Sequence, residues 1–394
     1  MIVHSLRTRT VRMVLAALTC MASASAQVRT FKTLYAFSDG ADGGAPWDAP
    51  LISNGQVFGT TYNGGGAGSA QVGTVFQYDP LSGLETYYYI FNGLPFDGAY
   101  PMSGMTADPF GDFFGTTIQG GYGLKGTVYE ITGGAESVVY SFSGPDGESP
   151  ESNLTIDADG NVYGVTGAGG ANGAGTVFAL SGGASFVEVY SFGNSKDDGI
   201  DPAANMCIFK AVLYGTTAEG GKNRWGTIFS VNPATKAEAI LYDFRGGPNG
   251  GTPTGGLIPD NKGNLYGTAS VGGSGNGNTG NGLLFRINIK SATLTVVHKF
   301  IGTDGSDPTG PLITDGAGNF YGTTFAGGTK GYGTVYQYDA TTNVFTSLYS
   351  FTNETDGAYP YGGVTSDSSG NLYGTATRGG LYNWGTLFEL TAAP

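Results

Sequence analysis

Histidine and cysteine, which carry most nucleophilic and metal chemistry, occur only twice each in the 394-residue chain, as His4, His298, Cys20 and Cys207. A Ser-His-Asp triad would have to use His298, and a histidine-rich metal site is out of reach. His298 stands in Val297-His298-Lys299-Phe300, where sister segments read Leu-Tyr-x-Phe, so it is expected to replace a structural tyrosine. Cys207, in Met206 to Val212 where the fourth unit loses the hairpin Asp and Gly, is expected to pack as a small apolar residue on an inner strand. Catalysis, if present, falls to carboxylates and tyrosine. Glycoside hydrolysis asks for two acids roughly 5 to 9 Å apart, and Asp48 and Glu151 are the candidates. A lyase could instead use Tyr361, or Lys125 with an arginine. The segment Asp157-Ala158-Asp159-Gly160-Asn161 opens like a calcium loop, but position twelve is Ala168 where a bidentate Glu is required. It reads as a turn, and the sequence predicts neither metal nor cofactor.

A second kind of chemistry is binding. Trp47, Tyr122, Arg224, Trp225, Tyr332, Tyr361, Arg378, Tyr382 and Trp384 combine rings with guanidinium groups in segments rich in turn residues. Exposed aromatics with arginine commonly mark a contact surface. The bland alternative is that these rings pack over loop glycines.

The ends of the chain bound where this chemistry operates. Arg7, Arg9 and Arg12 precede the apolar run Met13 to Leu18 and the small residues Ala24-Ser25-Ala26, the pattern of a secretory signal peptide over residues 1–26. No other stretch approaches the twenty or so apolar residues of a membrane helix. Cleavage after Ala26 removes three arginines and no acid, leaving 15 basic against 31 acidic residues, a charge of −16. Nucleic acid is therefore not an expected partner. Cys207 alone would survive, so no intramolecular disulfide forms and stability rests on a core. Residues 27–394 are expected to be one domain, exported and monomeric.

The elements that must position these residues are seven copies of one unit. An aromatic-Gly pair recurs with its glycine at 59, 115, 164, 215, 267, 322 and 374. Gly-Thr-Val-Phe and its variants start at Gly73, Gly126, Gly175, Gly226, Gly282, Gly333 and Gly385. Aromatic-x-Phe closes at Phe37, Phe91, Phe142, Phe192, Phe244, Phe300 and Phe351. An Asp-Gly-x-x-Pro loop follows each, with Asn249 replacing Asp in the fifth. Between these marks lie four short β-branched or aromatic segments, read as strands A to D; the sixth unit shows them at Pro311–Thr314, Asn319–Thr324, Thr334–Tyr338 and Phe345–Phe351. Seven four-stranded units predict an all-β, seven-bladed β-propeller. The chain starts with a D strand, Thr30 to Phe37, and stops after a C strand, Gly385 to Leu390. Pairing the two would close the ring within the last blade and remove an unpaired edge.

Asp-x-x-Gly-Asn-Leu-Tyr-Gly-Thr, a Gly-Gly pair and Gly-Thr-Val-Phe, closed by Leu-Tyr-x-Phe, resembles the GloVer tandem repeat of bacterial exported "choice-of-anchor" proteins. Asp260 to Thr268, Asp315 to Thr323 and Asp367 to Thr375 carry its first half nearly complete. The resemblance covers about residues 30–390. It implies a propeller-like surface or secreted protein and carries no established catalytic residues. No sorting segment precedes Pro394, so secretion or periplasmic residence is expected rather than covalent surface attachment.

With A innermost, the D–A and B–C connections share one face. The residue after each repeat proline should then ring the channel mouth: Trp47, Met102, Glu151, Ala203, Thr254, Thr309 and Tyr361. All three tryptophans fall on this face. The expected function is an exported binding or scaffold propeller whose partner is a glycan or another exported protein. The alternative is a carbohydrate-active hydrolase or lyase working at the channel mouth.

Overall fold

The computed structural model describes residues 29–66, 71–93, 95–182, 185–273 and 280–392; the leader expected over residues 1–26 lies outside them. Among the described residues seven four-stranded antiparallel sheets form a ring, and two short two-stranded ladders join Gly98–Ala99 to Gln119–Gly120 and Gly199–Ile200 to Glu219–Gly220. Blade one runs from the axis outward as Leu51–Ser53, Gln56–Thr61, Thr74–Asp79 and Leu84–Ile90, and blade six as Ile313–Thr314, Asn319–Thr324, Thr334–Asp339 and Val344–Ser350. The short A strands of neighbouring blades touch one another, which puts them at the axis. Blade seven takes A to C from Val364–Ser366, Leu372–Ala376 and Thr386–Thr391. Its fourth strand is Thr30–Ala36, paired antiparallel from Thr30↔Thr391 to Ala36↔Thr386. Ring closure by the N-terminal strand is thus observed. Arg29 extends it by donating through Nη1 to the carbonyl oxygens of Gly370 (2.7 Å) and Leu390 (3.3 Å).

Three of the repeated marks are one packing device. The glycine of each aromatic-Gly pair lies across the B–C ladder from the aromatic of Gly-Thr-Val-Phe, as in Gly59↔Phe76 and Gly215↔Phe229. A Cβ on Gly59 would stand 2.4 Å from the Phe76 ring, and one on Gly215 2.6 Å from Phe229. The ring therefore needs a glycine opposite it. The closing Phe of the preceding D strand then packs on that same ring: Phe37 on Phe76 at 5.1 Å, Phe192 on Phe229 at 5.0 Å, Phe351 on Phe388 at 5.2 Å. The same contact recurs at the other four interfaces, and all seven closing phenylalanines are buried. The core is consequently a set of clusters between blades rather than one centre.

The fourth mark locks the loops. The first glycine of Gly-Thr-Val-Phe has positive φ throughout, for example 108° at Gly73, and a Cβ there would meet Cδ of the following blade's repeat proline, Pro101, at 2.6 Å. The repeat Asp serves the same loop: Asp97 Oδ2 accepts from the Tyr89 hydroxyl (3.0 Å) and the Asn92 amide (2.6 Å). Tyr35–Asp42, Tyr140–Asp146, Tyr190–Asp198 and Tyr349–Asp356 repeat it. In blade five His298 takes the tyrosine's place, with Nε2 2.9 Å from Asp304 Oδ2. Its environment is accordingly a tyrosine's, and burial lowers its pKa while Asp304 opposes the shift.

Candidate functional site

The residue before each repeat proline is non-glycine yet has positive φ: Ala45, Tyr100, Ser149, Asp201, Thr252, Asp307 and Tyr359, at 50° to 60°. Bulky residues avoid this region unless the surroundings over-determine it. Here two backbone bonds do so. The Tyr359 amide donates to Tyr332 O (2.8 Å) and its carbonyl accepts from the Thr377 amide (3.3 Å); Tyr100 does the same with Val72 and Ile118. Each D–A loop is thereby pinned to the preceding blade's B–C loop and to its own B strand. The D–A and B–C connections do share a face, and its side chains stand on a rigid base.

Just inside the prolines, Met102, Glu151, Ala203, Thr254, Thr309 and Tyr361 line a single narrow cavity on the axis with Asp48 and Asn205. Its volume is about 40 Å³. At roughly 10–15 Å³ per water this admits about three waters, whereas small-molecule pockets run to several hundred Å³. Asp48 and Glu151 thus reach one cavity from blades one and three, but no sugar ring fits between them. Asp48 is also employed structurally. Its carboxylate accepts from the Ala49 amide (2.5 Å) and, through Oδ2, from the Gly104 amide of blade two (3.0 Å). Asn205 Oδ1 makes the corresponding bond to the Asn153 amide (2.8 Å). Burial lifts the Asp48 pKa to about 7 despite these bonds. Burial and the Asp201 carboxylate raise that of Glu151. The Tyr361 hydroxyl is pushed up to about 12, first by burial and then by Glu151, Asp307, Asp48 and Asp201. The mouth is acidic, and Tyr361 is held firmly protonated.

Around the mouth the rings form a continuous arc. Trp47 meets Tyr361 edge-on at 5.0 Å and Tyr62 at 6.3 Å, and Tyr62 meets Tyr100 at 4.9 Å. On the other side Tyr361 meets Phe325 at 6.1 Å, Phe325 stacks on Tyr359 at 5.0 Å, and Tyr359 meets Tyr332 at 5.7 Å. All seven rings are partly exposed. Blades six, seven, one and two supply them, while Glu151, Asp201 and Asp307 stand on blades three, four and six. Beyond Tyr100 a hollow of about 310 Å³ opens among Val72, Asn92, Gly93, Ala99, Tyr100, Gln119 and Gly120. Trp47 Nε1 is buried without a hydrogen-bond partner among the described residues.

Of the residues singled out in the sequence, Trp47, Tyr332 and Tyr361 belong to the arc. Trp225 does not: a Cβ on Gly246 or Gly251 would fall 2.7 and 2.8 Å from its indole, and it packs with the core between blades four and five. This ring packs over loop glycines. Tyr122 pairs with Phe96 at 5.1 Å on an outer loop, both largely exposed. Tyr382 and Trp384 are exposed on the blade-seven loop, and Arg224 and Arg378 are exposed without a carboxylate contact among the described residues. Lys125 is engaged by Glu148 at 2.6 Å. Sequence reasoning missed Tyr62, Tyr100, Phe325 and Tyr359. They occupy two fixed repeat positions, the pre-proline residue and the end of strand B, and tracing those positions through the seven units would have found them. No group of three or more His, Cys, Asp or Glu among the described residues is arranged to hold a metal. In the Asp157 turn, Oδ1 accepts from the Asp159 and Asn161 amides.

Three overlapping stretches, residues 20–159, 66–279 and 213–394, match the model of the Gloeobacter/Verrucomicrobia repeat. The chain belongs to this repeat family. No curated protein matches the sequence. Among solved structures, the extracellular domain of a protein described as a hybrid two component system from B. thetaiotaomicron superposes with a TM-score of 0.58 at 13% identity, over 92% of this chain and 41% of that one. PorZ, a surface component of the type-IX secretion system of Porphyromonas gingivalis, gives 0.53 at 15% identity, over 91% of this chain and 48% of that one. This repeat protein spans less than half the length of either. The likeness at such identities is one of fold.

Proposed function

We propose that this repeat protein is an exported binding module and that the aromatic arc is its contact surface for a glycan. The observation that carries the reading is the arc itself: seven adjoining, partly exposed rings on loops whose backbones are pinned. Flat ring faces suit the apolar faces of sugars, and Glu151, Asp201 and Asp307 lie beside the arc to accept hydroxyl hydrogens. The hollow beside Tyr100 has the size of a small-ligand site. Export is supported by the leader pattern over residues 1–26 and by the extracellular or surface placement of the two structural neighbours. No helix among the described residues is long and apolar enough to cross a membrane. The narrow axial cavity favours holding over cutting, since the acids that would cleave a glycosidic bond cannot flank one there. A glycan array probed with the protein, followed by incubation of each hit and analysis of its length, tests this directly. Binding without shortening is the expected result; shortened glycans would restore the hydrolase or lyase reading.

A further inference from the structure

A hollow of about 400 Å³ lies on the opposite face, between blades five and six, where the A–B hairpins Asp260–Asn264 and Asp315–Asn319 come together. The repeat itself creates such a space: a smaller one of about 260 Å³ sits between blades three and four, lined by Asp157, Asp159, Tyr163 and Leu213. Blade five departs from the repeat at two positions. The third hairpin residue is Lys262 where blade three has Asp159. The residue opposite the repeat tyrosine across the B–C ladder is Arg286 (Tyr266↔Arg286) where blade three has Ala179 (Tyr163↔Ala179). Both cations line the larger hollow with Asn261, Asn264, Thr314 and Thr341. Neither makes an ion pair among the described residues, although the chain carries 31 acids. The adjoining acids are turned into their own turns. Asp260 accepts from the Lys262 and Asn264 amides and from Asn264 Nδ2. Asp315 does the same with Ala317 and Asn319, and Asp339 with Thr341 and Thr342.

We infer that this hollow is a second binding site, for a small hydroxyl-rich ligand bearing a carboxylate. Arg286 supplies a planar fork matched to a carboxylate, Lys262 a second positive charge at the rim, and the Asn and Thr side chains partners for hydroxyls. Asp260 also lines the hollow and its carboxylate is spent on its own turn, so Lys262 and Arg286 are the groups there that can meet an anion. The site is independent of the aromatic arc.

The test is a titration of the full-length protein, followed by NMR amide shifts, with D-glucuronate and with D-glucose, which differ in a carboxylate against a hydroxymethyl group. Glucuronate should bind saturably, at least tenfold more tightly than glucose, and more weakly as NaCl is added. R286Q should lose at least tenfold and K262Q severalfold. No saturable shift with glucuronate, equal affinity for the two sugars, or an R286Q variant that folds and binds as wild type would overturn the site. Should R286Q fail to fold, unchanged affinity in K262Q does so instead. Each of these outcomes leaves the reading of the arc untouched.

Discussion

Three blade interfaces share a proton-binding arrangement that makes the fold's stability depend on pH in an unusual direction. Glu85, Glu136 and Glu238, each the second residue of a D strand, lie against the Tyr–Asp pairs of the preceding blade: Tyr35–Asp42, Tyr89–Asp97 and Tyr190–Asp198. Each has one carboxylate oxygen buried with no hydrogen-bond partner among the described residues. Burial first, and the neighbouring Asp second, push each pKa from 4.5 to about 7. The folded protein therefore holds three protons between about pH 4.5 and 7 that the unfolded chain has released, so stability falls as pH rises through that window. At about 1.4 kcal/mol per pKa unit the shift would amount to some 3 kcal/mol per site. These side chains are half-exposed, and solvent screening reduces this to about 1–2 kcal/mol each. Urea denaturation at pH 5 and pH 8 should show wild type several kcal/mol more stable at pH 5. The E85Q/E136Q/E238Q variant, which removes the ionisation, should lose most of that difference. Asp48, raised to about 7 by its own burial, leaves the variant a residual slope of the same sign. A wild type equally stable at both pH values, or a triple variant with an undiminished slope, would mean that these three carboxyls do not hold protons in the folded protein.

Other perturbations probe the ring and its loops. Deleting residues 28–37 strips the outer strand from blade seven along with the Phe37–Phe76 contact and the 3.8 Å Phe31–Tyr349 stack, so the urea midpoint should fall sharply and aggregation rise; unchanged melting and solubility would contradict ring closure. Gly215→Ala places a methyl 2.6 Å from the Phe229 ring and should cost about 1–3 kcal/mol by equilibrium denaturation, whereas a cost near zero would mean the B–C spacing is slack. Trp225→Ala uncovers Gly246 and Gly251 and should lose about 2 kcal/mol or more while leaving ligand binding intact; the reverse pattern would return Trp225 to the binding surface.

How much of this was legible in the sequence follows from what the repeat repeats. Strand order, blade number and ring closure could be read because Gly59, Phe76 and Phe37 are three parts of one contact, copied seven times in the same phase. The replacement of a tyrosine by His298 could be read for the same reason. Positions could be assigned to the channel mouth, but not its width: whether Asp48 and Glu151 enclose a sugar or a few waters depends on how seven loops converge, and no local pattern encodes that. Trp225 and Trp47 look alike in sequence, both being rings beside glycine-rich loops. Their fates diverge because Gly246 and Gly251 lie under one, while the other meets Tyr361 from a blade far off in the chain. Tyr100 and Tyr359 went unnoticed because they occupy a position that holds Ala, Ser, Thr or Asp in the other blades. Arg286 and Lys262 went unnoticed because the hollow they line forms only between two blades.

Whether the aromatic arc holds a glycan can be measured in one titration. The tightest ligand from the glycan array should be measured by calorimetry against wild type, Trp47→Ala and Tyr361→Ala, with melting curves confirming that each variant is folded. Both variants should lose at least tenfold in affinity, about 1.4 kcal/mol or more, because each removes a ring from the middle of the arc. Wild-type affinity in both folded variants would contradict this and leave the arc a packing feature of the propeller face.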